Sequence, residues 1–115
     1  MSYKKQVILH RHSGIPIIEI SGGVSNSIKE DLIAIYEKAC QSHPRNIIIK
    51  FDENGHIYSS GISVLVGLIH EAEKNGRKIH ATGLSEHFVQ VFTLTSLTKF
   101  IRIFPSEQEA LAALK

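Results

Sequence analysis

Short β-like segments alternate with amphipathic helical ones along almost the whole chain, and that alternation limits the fold more than any other feature. Val7–His12 alternates apolar and polar residues, as a half-buried strand does. Ser13-Gly14 is a turn signal and Ile15–Ile20 resumes a strand, which predicts a hairpin. Ser21-Gly22-Gly23 breaks the chain. Ser27 and Glu30 then stand at capping-box spacing before a helix with the stripe Ile28, Leu32, Ile35, Tyr36 and Ala39, which Pro44 is expected to stop. Residues 46–51 hold Ile47-Ile48-Ile49, a strand covered on at least one face, and residues 52–55 a polar turn.

A second helix opens at Tyr58-Ser59-Ser60-Gly61, with Ser60 expected as its N-cap. Its inward stripe is expected to be Ile62, Leu65, Val66, Ile69 and Ala72, widened by Val64 and Leu68, with Asn75-Gly76 as the stop. Residues 78–83 read as a strand. Ser85 caps a third helix with Phe88, Val91 and Phe92 on one face. Residues 100–104 are a last strand, and Ser106 with Glu109 caps a final helix. The order is strand, strand, helix, then strand and helix three times. It predicts an α/β domain with a mostly parallel sheet of about five strands and right-handed crossovers. Polar residues alternate into Val7–His12 and Lys78–Thr82, so helices should cover mainly one face.

At 115 residues the chain has room for a single domain spanning residues 1–115. With 43% hydrophobic residues and a net charge of +2 it is too apolar and too weakly charged for disorder. The longest nearly apolar stretch, residues 61–69, is far short of the ~20 needed to span a bilayer. No signal-peptide core follows the short polar start, and the single Cys40 has no disulfide partner in the chain. A cytoplasmic location is the expectation. The pI of about 8.8 hints at nucleic acid, but the basic residues are scattered, the densest groups being Lys4-Lys5 and Arg77-Lys78. No direct nucleic-acid partner and no membrane insertion are expected.

Catalytic signatures are missing. Gly83-Leu84-Ser85-Glu86-His87 lacks the second glycine of a nucleophile elbow, and no phosphate-cradling glycine loop occurs. Of seven histidines only His10 and His12 have same-face spacing, too few for a zinc site. Asp52 follows a buried strand, where a receiver domain keeps its phosphoacceptor, but the acidic pair such chemistry needs is absent, and a turn aspartate is the plainer reading. The chain is therefore read as a non-enzyme with no cofactor and no metal. What remains is Ser59-Ser60-Gly61 at a helix start, where backbone amides and the dipole favour an anion such as phosphoserine.

NIIIKFDENGHIYSSGISVLVGL (residues 46–68) resembles the central signature of STAS domains, the family of bacterial anti-sigma factor antagonists: a hydrophobic strand, a short loop, then Asp-Ser-Ser-Gly opening a helix. Residues 75–111 continue the match, with a "GL-S" helix start and a terminal "EAL" helix. The resemblance implies a STAS-like βα superhelix and a phosphorylation-controlled protein-binding switch. Its implied partners are an anti-sigma factor that is also a serine kinase, and a phosphatase that resets it. Ser59 stands where the family is phosphorylated. Two positions depart: the family aspartate is Tyr58, and a Gly-Glu-Leu-Asp pattern is Gly22-Gly23-Val24-Ser25. A partner is expected on Tyr58, Ser59, Ser60, Gly61, Ile62 and Ser63, with Gly23, Ser25 and Asn26 beside them, because both loops follow carboxyl ends of neighbouring parallel strands. The competing reading is a STAS module that binds a nucleotide or other anion, or serves as a scaffold subunit of a signalling or transport complex.

Overall fold

The computed structural model describes residues 6–115, so the Lys4-Lys5 pair lies outside the described residues. Strands β1 (Val7–His12) and β2 (Ile15–Ile20) form an antiparallel hairpin, with Val7 opposite Ile20 and His12 opposite Ile15. Ser13 and Gly14 both have positive φ, 54° and 79°, and that pair of values gives the two-residue turn whose twist matches the strands it joins. Then follow α1 (Lys29–Cys40), β3 (Asn46–Lys50), α2 (Ser59–Lys74), β4 (Lys78–Thr82), α3 (Glu86–Leu94), β5 (Ile101–Ile103) and α4 (Glu107–Leu114). The sheet order is β1-β2-β3-β4-β5, and β2 to β5 are parallel. Three successive crossovers between adjacent parallel strands, all of one hand, place α1, α2 and α3 on one face.

α4 follows the last strand and crosses to no other, so that constraint does not bind it. It covers part of the opposite face, where Ala110 and Leu111 pack with Ile15, Ile17, Ile48 and Phe104. This explains why Ile47, Ile48 and Ile49 are 0%, 0% and 1% exposed: both faces of β3 are covered. Each such side chain contributes roughly 1.5–3 kcal/mol on burial. The larger cluster joins Ile18, Ile20, Leu32, Ile49, Leu65, Ile79 and Phe92 beneath the three helices.

Four local expectations are corrected. Ser27 and Glu30 do not cap α1. The chain first makes a single 3-10 turn, Asn26–Ile28, and Ser25 accepts from the Ser27 amide at 3.2 Å while the two hydroxyls meet at 2.7 Å. α1 ends at Cys40, before Pro44. Ser60 is not the N-cap of α2; Tyr58 is, with no side-chain cap hydrogen bond, and Ser60 lies inside the first turn. The buried stripe of α2 is Gly61, Val64, Leu65, Leu68, Ile69 and Ala72, with Ile62 and Val66 only half-buried at its margin. The caps at Ser85 and Ser106 form as expected, accepting from Phe88 and Glu109 amides at 3.3 and 3.1 Å.

Candidate functional site

β2 and β3 are adjacent and parallel, so the loops that leave their carboxyl ends must meet. They are tied at four points. A lone parallel bridge pairs Val24 with Ile57: the Val24 amide donates to the His56 carbonyl, and the Tyr58 amide to the Val24 carbonyl, both at 2.8 Å. Asp52 accepts from the Gly22 amide at 2.8 Å and the Asn54 amide at 3.0 Å, so this turn aspartate also clasps the neighbouring loop. The Asn26 amide donates to the Ser60 hydroxyl at 3.1 Å, which occupies the oxygen expected to cap α2. The fourth tie is steric and twofold: a β-carbon on Gly61 would fall onto the Val24 carbonyl and one on Gly55 onto the Gly22 carbonyl, so only glycine allows the loops to sit this close.

The outer surface of this junction is built around Ser59 and Tyr58. Ser59 is exposed, and its hydroxyl makes no hydrogen bond among the described residues; its carbonyl accepts from Ser63 at 3.4 Å. It occupies the first position of α2, where the leading amides have no acceptor within the helix. The first helical bond here runs from the Ile62 amide to the Tyr58 carbonyl. Tyr58 is 54% exposed and lies over Gly23. Its ring begins a row of edge-to-face contacts, 4.6 Å to His56, 5.3 Å on to Phe88 and 4.8 Å from Phe88 to His87.

Of the residues expected at a contact surface, Tyr58, Ser59, Ser60, Gly61, Gly23 and Asn26 gather here. Ser63 is exposed one turn along α2, Ile62 turns toward the core margin, and Ser25 spends its hydroxyl on Ser27. The His56–Phe88 link of the aromatic row and the Asp52–Gly22 clasp carry no local sequence signal, since their partners lie thirty or more residues apart. Among the described residues no group of three His, Cys, Asp or Glu side chains is placed to hold a metal, and His10 instead approaches Glu19 at 3.6 Å. No described helix is long and apolar enough to cross a membrane.

A sequential, mostly parallel sheet whose carboxyl-end loops join at a Ser-Ser-Gly helix start defines a class of small α/β modules. The chain belongs to the STAS domain family, whose model matches residues 6–110. It is similar in structure to a candidate anti-sigma factor antagonist from Thermotoga maritima (TM-score 0.80, 14% identity, 94% of this chain and 93% of that one). A sulfate transporter family protein from Wolinella succinogenes is also similar (TM-score 0.75, 19% identity, 90% and 86%). So is the Bacillus cell-fate determinant SpoIIAA in its phosphorylated form (TM-score 0.68, 18% identity, 95% and 99%).

Proposed function

We propose that this protein is an anti-sigma factor antagonist, a non-catalytic binding switch controlled by phosphorylation of Ser59. The observation that carries the reading is the exposed Ser59 hydroxyl, free of hydrogen bonds among the described residues, at the first position of α2 beside an exposed aromatic ring. In the unmodified state Tyr58, Ser59, Ser60 and Asn26 offer a nearly neutral surface to an anti-sigma factor that is also a serine kinase. Tyr58 is the anchor, since a large aromatic with one polar tip is the residue type that dominates contact energies. A phosphate on Ser59 adds close to two negative charges and three acceptor oxygens. The α2 amides and dipole stabilise it locally, while a partner surface shaped for a hydroxyl meets bulk and charge. The partner is released, and a phosphatase restores the hydroxyl. SpoIIAA, solved in a phosphorylated form, is consistent with this chemistry.

The test uses purified serine kinases of the anti-sigma class from the same genome. A binding kinase should modify Ser59 with ATP, by mass spectrometry, and Ser59→Asp should weaken its capture about tenfold or more, because opposed like charges at an interface are costly. Equal capture of wild type and Ser59→Asp, or modification only elsewhere, would overturn the switch. It would favour a second reading, a scaffold subunit of a transporter, which the likeness to the sulfate transporter family protein supports.

A further inference from the structure

α1 and α2 each return from one parallel strand to the next, so they lie side by side in the same sense. Between them runs an open groove of about 750 Å³, the size of a small-ligand site. Its middle is apolar, with Ile33 on one wall and Val64 and Leu68 on the other. Two independent features mark it as built for an occupant. Gly67, exposed in the middle of α2, has nothing within 4 Å of where a β-carbon would stand. Glycine weakens a helix there, and no neighbour among the described residues requires it. At the end near the helix C-termini, the Tyr36 hydroxyl and Arg77 Nε are buried without a hydrogen bond among the described residues. Tyr36 itself is only 5% exposed. Its hydroxyl approaches the Cys40 thiol without a well-formed bond, and burial, then that thiol, pushes its pKa up to about 12, so it stays a donor.

We propose that the groove binds a small amphipathic monocarboxylate, its alkyl chain over Ile33, Val64 and Leu68 across the gap at Gly67, and its carboxylate held by Arg77 and Tyr36. Arg77 makes no ion pair among the described residues, although Glu37 and Glu71 line the same end. Those two carboxylates oppose any anionic head group, so a single charge bonded to the guanidinium is tolerated better than a phosphate dianion, which they repel more strongly. The site is separate from the Ser59 surface and does not depend on how that surface works.

The probe is decanoate, with decyl phosphate as comparator, titrated into the labelled protein and followed by amide NMR. Decanoate should shift resonances along α1 and α2 and slow alkylation of Cys40, the chain's single cysteine, which lines the groove. Arg77→Gln should weaken binding about tenfold, the scale of one charge-assisted bond. Gly67→Leu, which fills the groove and raises helix propensity, should abolish binding with the fold intact by circular dichroism. Decyl phosphate should bind more weakly. No groove shifts with decanoate, equal or tighter binding of decyl phosphate, or binding unchanged in both variants would overturn the proposal.

Discussion

At Gly61 a missing side chain decides how two loops meet. The Val24 carbonyl occupies the space a β-carbon would need, and that carbonyl also accepts from the Tyr58 amide. An alanine there would improve helix propensity by about 1 kcal/mol yet force apart one of the closest contacts in the junction. Overpacking of this kind costs about 1–3 kcal/mol, and the obstruction is backbone, which cannot rotate away. Gly61→Ala should therefore lower stability by up to about 2 kcal/mol net, read as a shift in the urea midpoint. A variant as stable as wild type would mean that the loops separate freely. The same contact explains why the sequence misplaced the buried face of α2. Periodicity alone favours Ile62 as an inward residue, but the helix rotates to press Gly61 on Val24, which moves Ile62 to the margin. Likewise Ser60 has ideal cap chemistry, but the Asn26 amide, thirty-four residues away, claims its hydroxyl.

Elements were legible wherever their determinants are local. The caps at Ser85 and Ser106, the hairpin turn at Ser13-Gly14 and the buried triplet of β3 each act within a few residues. The cap at Ser27 was not legible, because the 3-10 turn before α1 is held partly from outside by Ser60. Nor could β4 announce that its second face carries a chemical liability. His80 is 6% exposed; its Nε2 lies 2.9 Å from Asn46 Oδ1, and its Nδ1 is buried without a partner among the described residues. Burial, then the cations of Arg102 and Lys78, hold its pKa down from 6.5 to about 4. The fold thus keeps the imidazole neutral, since protonation would bury an unpaired donor. The unfolded chain takes up this proton near pH 6.5, the folded chain only near pH 4. The stabilisation is complete above pH 6.5 and drains away as pH falls through that window. On the order of 2 kcal/mol is at stake, somewhat less than the bare shift gives, because a protonated site relaxes and hydrates. Urea midpoints at pH 7 and pH 4.5 should fall less for His80→Gln than for wild type. Parallel losses in both would assign the acid sensitivity elsewhere.

For the whole molecule, sequential strand order brings the β2 and β3 loops together at one end of the sheet, while four ties fix their relation without using the Ser59 hydroxyl. Such a site should change what it presents without changing the fold that presents it. Ser59→Asp introduces a negative charge at the first position of α2, where the dipole favours it by about 0.3–1 kcal/mol, and no hydrogen bond among the described residues is lost. The variant should be as stable as wild type or slightly more so, and its amide shifts should be confined to the neighbourhood of residues 24–26 and 56–63. The same substitution is expected to weaken partner capture, so stability and binding should move in opposite directions. Shifts spreading through α1 and the sheet, or a clear loss of stability, would place the switch in a change of conformation instead. The physical ground for expecting a surface switch is that the junction is braced by backbone: the Val24–Ile57 bridge and the Gly61 contact have little freedom to respond to one exposed charge.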